Sequence, residues 1–235
     1  MPKPVIDFIV KGVSGQREIS LTVQSLICCG YAGRDQDAVR KHVEELKELG
    51  VAPPNKTPTA YLVPTYLATT DDYIEVFHQQ TSGEAEYVVL VDEKGELYVT
   101  VGSDHTDREV ERVSVERSKQ IYPKIMAREV WPYREVEKHW DEIQLRCWVT
   151  SDEGRLLSQE APLSALLPVA QILSFVEEEV GGKLVSGIVF SGTIPTLSGK
   201  LVFGRAYELQ LHNPATKNTI EHRYYVKTVM AKSKR

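Results

Sequence analysis

At 235 residues with 42% hydrophobic content, the chain is long enough to bury a sizeable core within one β-rich domain. Charged residues make up 26% of it, mixed in sign, and a net charge of -5 with a pI of about 5.8 leaves no basic stripe for nucleic acid. The opening Met1-Pro2-Lys3-Pro4-Val5-Ile6-Asp7 breaks its apolar residues too early for a signal-peptide core, and no apolar run of membrane-spanning length follows. A cytoplasmic protein with no membrane partner is expected. Cys28, Cys29 and Cys147 are odd in number and lack C-x-x-C spacing, so they read as buried thiols in a reducing compartment.

In chain order, the stretches Val5 to Val10 and Glu18 to Cys28, flanking the turn-like Gly12-Val13-Ser14-Gly15, predict an opening pair of strands within residues 1–28. From Asp35 the period changes, with Val39, Val43, Leu46 and Leu49 at helical spacing, Asp35 and Asp37 at the N-terminal end and Gly50 as a stop. The proline-rich stretch Val51 to Pro58 excludes regular structure, so residues 35–58 read as a candidate lid made of a helix and a loop. Glu84 to Asp92 and Glu96 to Gly102, separated by a short polar loop containing Gly95, predict a hairpin. Leu145 to Val149 predicts a strand before a turn at Ser151 to Gly154. Ser164 to Val180 predicts a helix interrupted near its start by Pro168, and Leu184 to Ser191 and Leu201 to His212 return to strand composition. Residues 231–235 read as a frayed, solvated tail.

The hairpin carries the chemistry. Alternate side chains of a strand share a face, so Glu84 and Glu86 point the same way as Val88 and Leu90. If the loop is Glu93-Lys94-Gly95 with a left-handed glycine, Asp92 pairs with Glu96 and Glu84 falls opposite Asp104. Directly opposed residues have Cβ atoms roughly 5 Å apart, where like charges repel unless a cation neutralises them. Three hard oxygen ligands suit Mg²⁺ first, or Mn²⁺ or Ca²⁺, better than zinc. From spacing alone, a solvated strand edge whose carboxylates never meet stays open as the other reading.

Further pieces occur in an order that resembles the fumarylacetoacetate hydrolase superfamily. Glu84-Ala85-Glu86 is similar to its Glu-x-Glu pair and Asp104 to Arg108 to its D-x-x-x-R stretch. Ser118-Lys119 followed by Pro123 is similar to its lysine segment. Gln159 through Leu167 resembles its Q-x-x-x-x-x-x-L-L region, and Gly192-Thr193-Ile194-Pro195 its G-T-x-P turn. Gly102 to Arg108 resembles, more specifically, a branch with a G-S-D-H-T-D-R stretch, which implies a fold and a site rather than one reaction. Two departures stand out. A hairpin-length segment replaces the family's usual helix between Glu-x-Glu and Asp, and Gly30 to Asp35 replaces its N-Y-x-D-H-x-x-E segment, leaving His42 and Glu45 as a displaced His-x-x-Glu pair.

The resemblance implies a strand-rich α+β chain, a mixed β-roll of the fumarylacetoacetate hydrolase C-terminal type with peripheral helices, spanning 1–235 as one domain and forming a homodimer. It implies a metal held by Glu84, Glu86 and Asp104 and a small carboxylate substrate, a 2-oxo acid or acylpyruvate-like 1,3-dicarbonyl, cleaved by C–C hydrolysis through a metal-stabilised enolate. Decarboxylation, dehydration, hydration, isomerisation and non-catalytic carboxylate binding are the alternatives. His42 and Glu45, neighbours on a helix surface, are the candidate general base and its partner, with ordinary amphipathic packing as the other reading. Lys119 would place a positive charge over an enolate or carboxylate, Lys124 being the nearby competitor. Arg108 suits a bidentate carboxylate partner, and Gly192 and Thr193 can offer turn N–H groups and a hydroxyl to a substrate. His105 and Asp107 would line the same site or tie down the strand end.

Overall fold

Alternating apolar residues on either side of Val13-Ser14 form the first hairpin, β1 (Val5–Gly12) with β2 (Gly15–Thr22), Gly15 taking a φ of 111° that its missing Cβ allows. The computed structural model describes residues 3–48, 53, 54 and 56–229; in the helix over 36–48 it describes the backbone but not the side chains at 42 and 45–48. Then come β3 (Ser25–Gly30), α1 (Gln36–Glu48), β4 (Thr59–Val63), β5 (Ala68–Thr69), β6 (Tyr73–Val76) and β7 (Thr81–Ser82). The central hairpin is β8 (Ala85–Val91) and β9 (Leu97–Asp104), followed by β10 (Thr106–Asp107), the one-turn helices α2 (Arg108–Glu111) and α3 (Val115–Ser118), β11 (Lys124–Met126), β12 (Glu129–Pro132) and α4 (Tyr133–Val136). The chain closes with β13 (Gln144–Ser151), β14 (Gly154–Pro162), α5 (Val169–Val180), β15 (Gly187–Phe190), β16 (Ala206–Asn213) and β17 (Asn218–Thr228).

The large sheet runs β2-β1-β12-β9-β8-β15-β3-β4, with β11 bridging β9 to β5; a second sheet runs β14-β13-β16-β17-β6. Parallel pairs such as β1 with β12 and β15 with β3 sit among antiparallel ones, so the architecture is mixed. One face of the large sheet contributes Phe8, Leu21, Leu26, Cys28, Val88, Leu90, Ile188 and Phe190 to one cluster. Among the described residues, neither the second sheet nor any α-helix contributes to that cluster, yet Val88, Phe190 and Cys28 are inaccessible to solvent. A sheet can cover its own face only by curling, which makes this the interior of a roll. The opposite face, with Tyr87, Val89, Val91, Val99 and Val101, packs against Leu145, Leu209, Leu211 and Tyr224 of the second sheet and Ile172 and Val176 of α5. Fully burying an aliphatic side chain contributes roughly 1.5–3 kcal/mol, so this two-sided packing dominates stability.

The predicted helices form where their signals lie. Asp35 Oδ1 accepts from the N–H groups of Asp37 and Ala38 at 3.0 Å, capping α1, and Pro168 occupies the N-cap of α5, whose end at Gly181 is left-handed with φ 75°. The helix expected from Ser164 begins only after Pro168, at Val169, and a single turn, Leu163–Ala165, stands in place of its first residues. Leu49, Gly50, Ala52 and the 231–235 tail lie outside the described residues, as does the side chain of Leu46. Among the described residues no helix is long and apolar enough to cross a membrane, a statement that leaves β-barrels aside.

Two strand expectations are corrected. The Glu18 to Cys28 run is two strands: Val23 and Gln24 donate to Pro4 and Ser186 carbonyls, which turns the chain, and β3 joins the sheet between β15 and β4. The Leu201 to His212 run is a strand only from Ala206. A Cβ on Gly204 would meet Val149 Cγ1 at 2.4 Å and Thr150 O at 2.7 Å, so the backbone there crosses β13 at close range instead of pairing along an edge. The 11-residue β17 forms from a polar, mixed stretch without an apolar strand signature.

Candidate metal centre

The β8–β9 hairpin positions the acids. Asp92 N–H donates to Glu96 O at 3.0 Å, Asp92 Oδ1 accepts from Lys94 and Glu96 N–H at 2.8 Å, and Gly95 takes φ 82°, as the three-residue loop requires. That register carries through Ala85–Ser103, and Asp104 N–H donates to Glu84 O at 3.1 Å. Glu84 therefore stands opposite Asp104, with Glu86 two residues along on the roll's interior face. One carboxylate oxygen from each of Glu84, Glu86 and Asp104 lies within 4.8 Å of the others.

Among the described residues, three cations sit around these acids. Lys119 Nζ is 2.5 Å from Asp104 Oδ2 and 3.4 Å from Glu84 Oε2, while Lys124 Nζ is 2.6 Å from Asp104 Oδ1, an ion pair whose angles miss those of a hydrogen bond. Arg108 bridges Glu84 Oε1 at 3.0 Å and Glu111 Oε2 at 2.7 Å and donates to Ser82 Oγ at 2.7 Å. Burial opposes ionisation of Asp104, but Lys119 and Lys124 outweigh it and hold the carboxyl well below its usual range; Arg108 and Lys119 likewise outweigh burial at Glu84. Glu86 goes the other way, because burial and then the Asp104 charge push it well above the carboxylate range.

Glu86 is also where the cluster is incomplete. Gly192 N–H donates to its Oε2 at 2.8 Å, but Oε1 is fully buried and unpartnered. A buried carboxylate oxygen without a partner is costly, and a divalent cation against it would remove that cost. Glu84, Asp104 and Glu111 face Arg108, Lys119 and Lys124, and Glu86, which burial drives toward its neutral form, completes an all-oxygen donor set that fits Mg²⁺, Mn²⁺ or Ca²⁺.

The structure places the remaining predicted residues as follows. Lys119 lies beside the acids, only 5% exposed, with its ammonium 5.8 Å from the Tyr61 ring centroid. Lys124 is fully buried on Asp104, in register with it across β9 and β11, and Arg108 is tied to protein acids. Gly192, at φ 86°, gives its N–H to Glu86, whereas the Thr193 hydroxyl donates to Ala85 O at 2.9 Å and accepts from Gln159 Nε2 at 2.8 Å. His105 is enclosed, its ring nitrogens 3.0 Å from Tyr224 Oη and from Thr81 Oγ1; Asp107 caps α2 through Glu109 and Val110 N–H and meets Tyr122 Oη at 3.2 Å. The side chains of His42 and Glu45, on α1, lie outside the described residues.

Three contributors had no assigned role in the sequence reading. Gln159 accepts from Ala85 N–H at 3.1 Å and donates to Thr193 and Ile194, stapling the strand of Glu86 to the Gly192 turn. Glu111 anchors Arg108 at i,i+3, a spacing the sequence does display. Tyr61 reaches Lys119 from β4, across the fold, and no local pattern announces it. Hollows of about 440 Å³ beside Arg17 and Tyr98, and of about 410 Å³ beside Pro4 and Arg128, lie away from these residues.

Among solved structures, the chain is similar to Cg1458 with inhibitor (TM-score 0.64, 15% identity, covering 92% of this chain and 82% of that one). It is similar to 2-keto-3-deoxy-D-arabinonate dehydratase complexed with magnesium and 2,5-dioxopentanoate (TM-score 0.60, 11%, covering 91% and 77%). It is also similar to the fumarylacetoacetate hydrolase from psychrophilic Exiguobacterium antarcticum (TM-score 0.54, 14%, covering 90% and 81%). No curated protein sequence matches. The strand-rich mixed roll expected from the resemblance is the fold these structures share. Residues 29–224 match the family described as "Protein of unknown function (DUF2848)", and the chain, with its fumarylacetoacetate hydrolase-type fold, belongs to that family.

Proposed function

We propose that this protein is a divalent-cation-dependent enzyme acting on a small 2-oxo acid or 1,3-dicarbonyl, with C–C hydrolysis of an acylpyruvate-like compound as the first reaction to test. The observation that carries the proposal is the convergence of one oxygen each from Glu84, Glu86 and Asp104 within 4.8 Å, in a cluster where Glu86 Oε1 is buried and unpartnered. Glu84, Glu86 and Asp104 would hold Mg²⁺ or Mn²⁺, which supplies Lewis-acid polarisation of two substrate oxygens. The residues of the chain do the rest. Gly192 N–H and the Gln159 staple keep Glu86 oriented, and Arg108, anchored by Ser82 and Glu111, holds Glu84. Lys119 provides positive charge near the cluster for a substrate carboxylate, with Lys124, Gly192 and Thr193 supporting that wall. His42, with Glu45 three residues on in the sequence, is proposed as the general base that takes the proton from water. A homodimer in the cytoplasm is part of the same proposal. Dehydration of a 2-oxo acid is the competing reaction, favoured by the likeness to the dehydratase complexed with magnesium and 2,5-dioxopentanoate.

Glu86→Gln and Asp104→Asn are expected to weaken Mn²⁺ binding in calorimetric titration by at least about tenfold while the fold persists, since each removes one charged oxygen ligand. Unchanged affinity in both variants removes the metal site from the proposal. With the metal loaded, a panel of acylpyruvates and 2-oxo acids should contain a substrate whose turnover His42→Ala lowers by roughly 10²-fold. Binding without turnover across the panel would favour a carboxylate-binding protein.

A further inference from the structure

Both oxygens of Asp104 are occupied by lysines, but the two lysines are not equivalent. Lys124 lies in β11 opposite Asp104 in the ladder, is 0% exposed, and also places its Nζ 3.5 Å from His105 O; strand pairing on both sides holds it in place. Lys119 follows the single turn of α3, on the C-cap of a helix only four residues long, and its ammonium spans Asp104 Oδ2 and Glu84 Oε2 beside the Tyr61 ring. Arg108 is fixed differently again, by Ser82, Glu111 and the other oxygen of Glu84. The charge inside the acidic cluster that is least tied to the framework is therefore Lys119. It bridges two of the three carboxylates that would bind a cation, and it takes the Asp104 oxygen not already engaged by Lys124.

We propose that Lys119 is the protein's internal stand-in for the divalent cation: its ammonium neutralises Asp104 and Glu84 in the metal-free protein, and metal binding displaces it. The inference rests on the reading that Glu84, Glu86 and Asp104 hold that cation. An ammonium and a divalent ion sharing the same oxygens repel strongly in a buried site, and Lys124 has no room to withdraw. The exchange lets the roll fold around three buried acids before any metal arrives. It also makes the free ammonium conditional on the metal, so the metal and then an anionic ligand bind in that order. Tyr61, against which the lysine already rests, is the wall along which it is released.

The deciding measurement is acylation of lysines by an amine-reactive reagent on the full chain, read by peptide mass spectrometry without and with saturating Mn²⁺. Lys119 should be protected without metal and labelled about tenfold faster or more with it, because exchange out of a buried ion pair exposes the amine, while Lys124 stays protected in both states. In parallel, Lys119→Met should lower the Tm of the metal-free protein, tighten Mn²⁺ binding by about tenfold and enlarge the Mn²⁺-induced rise in Tm. If wild-type protein binds Mn²⁺ while Lys119 labelling does not change, displacement is wrong and the metal site stands. If wild-type protein binds no Mn²⁺ at all, the metal reading itself falls and this inference with it.

Discussion

An imidazole sealed between packed sheets keeps its proton only if something nearby stabilises the charge, and His105, in the core between the two sheets, has the opposite surroundings. Its ring is inaccessible, enclosed edge-on by Tyr122, Tyr207 and Tyr224 at centroid distances of 5.9, 5.5 and 5.8 Å, with both nitrogens hydrogen-bonded. Burial, then the charges of Arg108 and Lys124, lowers its pKa to about 3. An unfolded histidine titrates near 6.5, so between about pH 6.5 and 3 the unfolded chain binds a proton that the folded chain refuses. The stability tied to neutral His105 is therefore complete above that window and lost as pH falls through it. Urea titrations at pH 7 and pH 4 should show wild-type protein losing about 3 kcal/mol more than His105→Gln. Equal losses would mean that His105 ionises freely in the folded state. His105 thus serves as a neutral strut behind Asp104, not as an acid–base group.

At the scale of elements, the β8–β9 hairpin is the unit that makes the site, and its two glycines do different work. Gly95 takes φ 82° in open space, so Gly95→Ala carries only left-handed backbone strain, about 1–2 kcal/mol. Gly102, the partner of Glu86, is packed instead. A Cβ there would meet Val88 Cγ2 at 2.6 Å, Ile125 O at 2.7 Å and Phe190 Cε1 at 2.7 Å. Gly102→Ala should cost about 1–3 kcal/mol, or more if the strands cannot yield, and should also weaken Mn²⁺ binding because β9 must shift beneath Asp104. Thermal unfolding and calorimetry on both variants test this: comparable Mn²⁺ affinity in Gly102→Ala and Gly95→Ala would show that the packing under Gly102 does not position the acids.

At the scale of the molecule, the roll's interior and the space between the two sheets are separate cores that share the central strands. α5 closes the second through Val169, Ile172 and Val176, all inaccessible. Ile172→Ala should destabilise by about 2–5 kcal/mol, the range for deleting a buried aliphatic side chain. The Glu84–Glu86–Asp104 cluster faces the other core, so Mn²⁺ affinity of the folded variant should match wild type. A parallel loss of affinity would reveal coupling between the cores.

Strand alternation and a glycine-bearing three-residue loop, both local, were enough to place Glu84, Glu86 and Asp104 on one face and Glu84 opposite Asp104, because hairpin register is a short-range property of the chain. The Asp35 capping signal likewise located the start of α1. The outward alternation of Glu221, Arg223, Tyr225 and Lys227 against inward Ile220 and Tyr224 in β17 was present in the sequence, but it is a period of polar and mixed residues that apolar content does not reveal. What only the tertiary structure decided is which charges meet those acids. Lys119, Lys124, Arg108, Gly192 and Tyr61 arrive from β11, β4, α2 and the turns after α3 and β15. Their encounter depends on the curling of the large sheet and on parallel crossovers between distant segments. No spacing along the chain encodes that closure. It follows from burying both faces of the central strands at once, and it turns three like charges on a strand edge into a buried, nearly neutralised cluster with one oxygen left unmatched.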